Sequence, residues 1–469
     1  MRTLVVAALL LAAPAAQEPP PNFVVINIDD LAYADLGCFG STLHRTPHLD
    51  RMAAEGRKLT SYYAAPVCSP SRASLMTGCY PKRVGIPSVL FPGNAVGLHA
   101  DETTIAEILK EKGYSTRCVG KWHLGDQPEF LPTRHGFDGY FGIPYSNDMG
   151  PASDGARSDL GKPLPDPAKV RAGHPPIPLL RDEKVVERVR GAEQCTIATR
   201  YTEDAVSFIK ANAGRPFFLY LPHTAVHFPL YPAAAFQGKS KNGTYGDWVE
   251  EVDWSVGQVL DAIRAAKLAE RTLVLFVSDN GGTGRGLNTP LRGNKGSALE
   301  GGMRVPAIVW WPGTIPAGTS SGEITGMIDV LPTLAALSGG KLPDRKLDGR
   351  DQRAVWTGKP DAKSAHEAFA YFHGNNLAAV RSGPWKLEVA SGKLYNLETD
   401  VGEKTDVAAQ NPEAAAKLRA HADAFAADLG AKDPGPGCRP PGRVAQGRPI
   451  LDAQGNVRPE NRGDRDRFE

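Results

Sequence analysis

The 469-residue chain has little that would tie it to nucleic acid, zinc or a bilayer. Lysine and arginine number 54 against 52 aspartate and glutamate, a formal net charge of +2. The basic residues are scattered rather than massed, so the chain carries no electrostatic footprint for nucleic acid. Cysteines are few, at positions 38, 68, 79, 118, 195 and 438, and none of their spacings is that of a zinc knuckle. Past the N-terminus no apolar run reaches the roughly 20 residues of a spanning helix. These absences leave a small or extended molecule as the expected partner.

What is present begins with an export signal. "MRTLVVAALLLAAPAAQ" has a basic Arg2, an apolar run from Leu4 to Ala13 and the small-residue site Ala13-Pro14-Ala15. Residues 1–16 therefore read as a secretory signal peptide, and the mature protein is expected to be soluble and periplasmic or extracellular. Six cysteines in an oxidising compartment would suit three disulfides. Cys38, Cys79 and Cys118 lie near or within core segments and are expected to be buried; Cys195 and Cys438 are the better disulfide candidates.

The body of the chain alternates strands and helices. Apolar runs at 22–28, 114–119, 216–221 and 272–278 are of buried-strand type, and between them lie amphipathic helices such as "TTIAEILKEKG" and "YGDWVEEVDWSVGQVLDAIRAAKL". That rhythm predicts an α/β fold with a large, mostly parallel sheet flanked by helices on both faces. In such sheets ligands bind beyond the carboxyl ends of the strands. There the first strand runs into Asp29-Asp30, the second into Lys121-Trp122-His123, the third towards His223 and His227, and the fourth into Asp279-Asn280.

Singly, each of these has an ordinary reading as a cap, a turn or a bonded core histidine. Together, three carboxylates and an amide oxygen at one edge would repel one another unless a cation sat among them. An all-oxygen set suits a hard divalent ion, calcium ahead of magnesium. Lys121, Lys295 and Arg72 then point to an anionic substrate held against the metal.

"CSPSRASLMTG", residues 68–78, places Cys68 at the start of a helix, with Ser69 read as a cap and Pro70 in the first turn. The helix dipole there lowers a thiol's pKa, which would suit a nucleophile. A soft thiolate is nevertheless a poor ligand for a hard cation. A half-buried structural cysteine and a disulfide partner stay open beside the nucleophile.

With Cys68, Pro70, Ser71, Arg72, Leu75, Thr77 and Gly78 all in place, this stretch resembles the CxPSRxxLxTG signature of the type I sulfatases. "NIDDLAYADLGCFG", "VGKWHLG", "HGFDGYFG", "FVSDNGG" and "LEGGMRVPAIVWWPG" are similar to further landmarks of that family, closest to its arylsulfatase A and N-acetylgalactosamine-6-sulfatase branch. The resemblance implies an alkaline-phosphatase-like sandwich with a smaller C-terminal α+β domain built on an antiparallel sheet. It implies that a formylglycine-generating maturation enzyme converts Cys68 to formylglycine (3-oxoalanine), whose hydrate attacks the sulfur of sulfate monoesters, aryl or carbohydrate, through a covalent sulfo-enzyme intermediate. It further implies calcium held by Asp29, Asp30, Asp279, Asn280 and an oxygen of the modified Cys68, which removes the hard–soft conflict. Arg72 and Lys121 would hold the hydrate and the sulfate; His227, in "VHFP", and Lys295 would bind sulfate and assist the leaving oxygen. Asp279 would favour loss of the first proton and His123 would take the second. His223 falls outside the positions the family uses. A phosphate ester hydrolase of the same superfamily is the alternative, and a non-catalytic glycan-binding protein the more distant one.

Beyond the catalytic segment 17–360, short segments from "AFAYFHG" to "KLYNLETD" and the helix "PEAAAKLRAHADAFAADL" are expected to form the small domain, 361–432. The Pro-, Gly- and Arg-rich tail 433–469 reads as an extended segment draped on the surface or partly disordered. The Pro-rich stretch 151–180 reads as a long loop, which the family resemblance places near the substrate mouth and which has the competing reading of an ordinary mobile surface loop. Trp122, Trp248 and Trp254 are candidates for stacking on a substrate ring, the last two with the competing reading of helix core.

Overall fold

The computed structural model describes residues 20–163 and 174–463. The signal-peptide reading of residues 1–16 lies outside them, as does the middle of the Pro-rich stretch. No helix among the described residues is long and apolar enough to cross a membrane.

The largest sheet is built from β1 (Asn22–Ile28), β2 (Arg57–Leu59), β3 (Ser115–Val119), β4 (Gly139–Gly142), β5 (Ile177–Arg181), β6 (Lys184–Val189), β7 (Phe217–Pro222), β8 (Thr272–Ser278), β9 (Ala307–Trp310) and β10 (Thr319–Ser321). Their order is β6-β5-β4-β3-β7-β1-β8-β9-β2-β10. The central run β4, β3, β7, β1, β8 is parallel, and β5, β6 and β9 join antiparallel. Strands buried on both faces must be apolar throughout, and β1 and β8 are buried at every position.

Alternation along β1 divides the core into two layers. Phe23 and Val25 pack with the helices that carry Leu75, Ile108 and Leu331, whereas Val24, Ile26 and Ile28 pack with those that carry Met52, Tyr201 and Trp248. The helices on the two faces are Cys68–Thr77, Ile105–Glu111 and Val330–Ser338 on one, and Pro47–Glu55, Gly191–Ala211 and Gly243–Ala265 on the other. The helix Gly191–Ala211 begins where Glu193 accepts the Arg190 amide at 2.8 Å.

A separate antiparallel sheet, Phe369–His373, Asn376–Ser382, Trp385–Glu388 and Leu394–Asn396, is covered by the helix Pro412–Leu429. Tyr63, Tyr80 and Ile328 of the larger unit share a core with Phe369, Tyr371 and Phe372 of this smaller one.

Three expectations are corrected. The stretch 151–180 is not loop to its end: Ile177–Arg181 enters the large sheet, with Ile177, Leu179 and Leu180 fully buried. Pro178 is tolerated because the neighbouring β4 pairs only with Leu180 and Arg181. The described tail, 433–463, does not merely drape. Gly442–Arg443 pairs with Val96–Gly97, Ile450 and Leu451 are buried in the main core, and Arg458 reaches the Gln127 side chain at 2.8 Å. All six cysteines are free, Cys195 and Cys438 included; Cys79 and Cys118 are buried as expected, whereas Cys38 is only half-buried.

At the seam between the two units, the buried carboxylate of Glu300 accepts Tyr63 Oη at 2.7 Å and Tyr371 Oη at 2.9 Å and pairs with Lys386 Nζ at 3.0 Å. Burial alone would raise its pKa, but Lys386, Arg304 and Arg381 bring it from 4.5 down to about 2. A depressed carboxylate contributes stability that is complete above its unfolded pKa and is lost as pH falls towards the folded value. Stability is therefore expected to fall by roughly 3 kcal/mol between about pH 4.5 and 2 on account of this group. Urea unfolding across that range checks it: Glu300→Gln should show a correspondingly shallower acid limb, and an unchanged limb would contradict the assignment.

Candidate active site

The parallel strands end together, and their succeeding residues converge. Asp29 and Asp30 succeed β1, and the Asp29 amide donates to the Ala225 carbonyl at 2.9 Å while the Asp279 amide donates to Ile28 at 2.9 Å. Gly120, with φ 132°, lets the chain turn beside β7, where a Cβ would lie 1.8 Å from the Pro222 oxygen. Lys121 comes next in the chain. Asp30 and His123 both hold left-handed backbone conformations, φ 62° and 64°, which are uncommon for non-glycine residues and concentrate at functional sites.

The helix Cys68–Thr77 starts at Cys68, after an extended Val67. Ser69 does not cap it; its hydroxyl accepts the Leu90 amide at 3.1 Å, while Ser71 Oγ accepts the Ala65 amide at 2.8 Å. Cys68 Sγ is 3.3 Å from Asp29 Oδ1 and 3.5 Å from Lys295 Nζ. The lowered thiol pKa expected from the helix start is overturned. Burial, with Asp29 beside it, pushes the thiol well above its ordinary value, so the unmodified side chain stays protonated and is a poor nucleophile.

Charges of both signs interleave around it. Lys121 Nζ donates to Asp29 Oδ2 and lies 3.2 Å from Ser146 Oγ. Arg72 donates Nε and Nη2 to Asp279 Oδ2 at 3.0 and 2.8 Å, and Nη1 to the Lys121 carbonyl. Lys295 Nζ is 2.6 Å from Asp30 Oδ1, which also accepts Asn280 Nδ2 at 2.7 Å. Burial opposes ionisation of Asp29, yet Lys121, His227 and Arg72 hold it well below the usual carboxylate range. Burial and the nearby Asp29 raise Asp279 to about 6, the mark of negative charge crowded into a dry place.

Three side-chain cations thus compensate the carboxylates, so a metal is not the sole relief of their repulsion, as the sequence pattern alone suggested. Two acceptor oxygens remain without partners all the same: Asp30 Oδ2 and Asn280 Oδ1. Ligand atoms of Asp29, Asp30, Cys68 and His227 all lie within 4.8 Å of one another. Orphaned hard oxygens beside clustered carboxylates fit a divalent cation. Asp279 stands at the edge of this set, with one oxygen taken by Arg72 and the other 3.4 Å from the Asp30 amide.

His227 Nδ1 lies 2.5 Å from the Phe228 carbonyl and Nε2 3.7 Å from Asp30 Oδ2. His123 Nε2 donates to the Leu90 carbonyl at 2.9 Å, which leaves Nδ1 an open acceptor. Burial, then Lys121 and Arg72, push this histidine well below its ordinary pKa, so the ring is neutral. His223 turns elsewhere, to Ser255 Oγ at 3.1 Å in the core. Trp122 and Trp248 are fully buried and Trp254 packs on Phe236, which removes the first two as stacking platforms. Ser146, between Lys121 and His227, belongs to the site without being signalled in the sequence. The short β4 before it, "GYFG", has no apolar run long enough to advertise a fifth parallel strand end.

A family model for sulfatases matches residues 21–340. The chain belongs to the sulfatase family. It is 37% identical to human arylsulfatase A, over 91% of this chain and 85% of that protein. It is 39% identical to N-acetylgalactosamine-6-sulfatase of Canis lupus familiaris, over 78% and 71% respectively. Among solved structures, the PsFucS1 sulfatase from Pseudoalteromonas sp. superposes with a TM-score of 0.77 at 26% identity, covering 87% of this chain and 91% of that one. Ps i-CgsB bound to k-i-k-neocarrahexaose gives 0.72 at 31%, covering 87% and 92%. This sulfatase is accordingly a hydrolase of sulfate esters, with the alkaline-phosphatase-like architecture expected.

Removing one partner of a buried ion pair leaves the other uncompensated, at a cost of about 3–5 kcal/mol. Arg72→Met is expected to destabilise the metal-free sulfatase by that amount in urea titrations. A loss below about 1 kcal/mol, as for an exposed pair, would contradict the pairing with Asp279.

Proposed function

We propose that the protein is an exported sulfatase that hydrolyses sulfate monoesters, aryl sulfates and sulfated carbohydrates among them, after a maturation enzyme converts Cys68 to formylglycine. The observation that carries this reading is the meeting of Cys68 with Asp29, Asp30, Asn280 and Lys295 around oxygens that lack partners. Asp29, Asp30, Asp279, Asn280 and the modified residue 68 would hold calcium. Hydrated formylglycine would supply an oxygen nucleophile, and calcium the positive charge that makes its ionisation easier.

The remaining work falls to the chain's own residues. Lys121, His227 and Lys295 bind the sulfate oxygens, and Arg72 is anchored on Asp279 so that its charge faces the same place. Asp279, raised to about 6, accepts the proton released as the nucleophile forms. Lys295 or His227 donates to the departing oxygen. The neutral His123, with Nδ1 open, takes the second hydroxyl proton so that sulfate is expelled and the aldehyde restored. A plain alcohol would lack that second hydroxyl and be left as a stable sulfate ester.

Relatives named arylsulfatase A, N-acetylgalactosamine-6-sulfatase and steryl-sulfatase, and a neighbour bound to a neocarrahexaose, support a range running from small rings to glycans. The divisions near residues 360 and 432 belong to this reading, the catalytic machinery lying wholly before the first.

The matured protein is expected to hydrolyse 4-nitrophenyl sulfate far faster than 4-nitrophenyl phosphate, to lose activity in EGTA and to regain it with calcium. Cys68→Ala should be inactive with an unchanged circular dichroism spectrum. Preference for the phosphate, or full activity in Cys68→Ala, would overturn the proposal.

A further inference from the structure

Lys295 lies in an irregular stretch between β8 and the short helix Glu300–Met303, yet its ammonium reaches both Asp30 and Cys68. Lysine has much rotamer freedom to lose, so the backbone beneath it must be fixed. The larger unit supplies part of the anchor: the Lys295 amide donates to Gly282 at 3.0 Å and the Gly296 amide to Pro66 at 2.8 Å.

The other anchors come from the small C-terminal unit. Arg292 Nη1 donates to the Glu403 carbonyl at 2.9 Å, Lys386 Nζ to the Ala298 carbonyl at 3.1 Å, and the Glu300 amide to Glu403 Oε2 at 2.9 Å. Both ends of residues 292–300, and Ala298 between them, are therefore tied to Lys386 and Glu403. Lys386 bridges Glu300 and Glu403 at 3.0 and 2.7 Å and sits 4.1 Å from the Tyr371 ring centre. Glu300, Lys386 and Glu403 are no more than 2% exposed.

Apolar residues of similar volume often serve as well as a buried charge cluster, although an existing cluster is costly to break by removing one partner. Such a cluster also joins the segments that carry its members. We propose that Lys386, Glu403 and Tyr371 are positioning residues, through which the small domain clamps the 292–300 segment at Glu300 and so sets the position of Lys295. The inference rests on the reading of Lys295 as an acid for the leaving oxygen.

An acid matters most when the leaving group is basic. 4-Nitrophenolate departs readily without a proton, whereas phenolate gains more from one. In the matured enzyme, Lys386→Met is expected to lower kcat/KM for phenyl sulfate about tenfold more than for 4-nitrophenyl sulfate, with the loss in kcat, and Lys295→Ala should shift the two esters in the same sense. Tyr371→Phe, which removes one oxygen and keeps the ring, carries the same comparison if the lysine variant does not fold. Equal losses on both esters, or a fall in Tm alone, would overturn the clamp. Equal losses on both esters in Lys295→Ala would instead overturn the reading of Lys295 as the acid beneath it.

Discussion

Asp29, Asp30 and Asp279 lie side by side at the carboxyl edge of the sheet, each 1% exposed or less, and most of the molecule's polar architecture answers to that crowding. Three anions this close and this dry are tolerable only with positive charge among them. Lys121, Arg72 and Lys295 supply it, each from a different segment: the end of β3, the helix that begins at Cys68, and the loop after β8. The parallel order of β3, β7, β1 and β8 is what brings those segments to one place. The same crowding holds Asp29 ionised while Asp279 is raised to about 6. One carboxylate is thus held ionised and the other is brought nearer the range in which it takes up a proton.

Much of this was legible in sequence because buried parallel strands must be continuous apolar runs, and the residues just past the end of such a run lie at the sheet edge. "NFVVINI" and "TLVLFVS" are long enough to be unmistakable, and the residues after them are the ones that meet. The signal weakens as strands shorten. "GYFG" has only four residues, so nothing marks Ser146 beyond it. "IPLLR" hides behind prolines that normally argue against a strand. Strand-end position did not separate His223 from His227, since both come after β7; the family resemblance did, by favouring His227, and the turn of the chain sends His223 to Ser255 and His227 towards Asp30.

Thiol chemistry was the least legible part. Cys68 does stand at a helix start, but burial and the neighbouring Asp29 raise its thiol, and that carboxylate lies far off in the chain. Cys195 and Cys438 are free, and spacing alone could not have shown that their segments pack in different parts of the fold.

The environment of that thiol also makes the chemistry at residue 68 open to a decisive measurement. A protonated, buried sulfur is a poor ligand for a hard cation and a poor nucleophile, whereas an aldehyde hydrate at the same position is neither. Mass spectrometry of the peptide carrying residue 68, from protein produced together with a formylglycine-generating enzyme, distinguishes the two. The expected result is loss of the thiol, a mass equal to that of the aldehyde or its hydrate, and reaction with a carbonyl-specific hydrazine. An active enzyme whose residue 68 remains cysteine would contradict it.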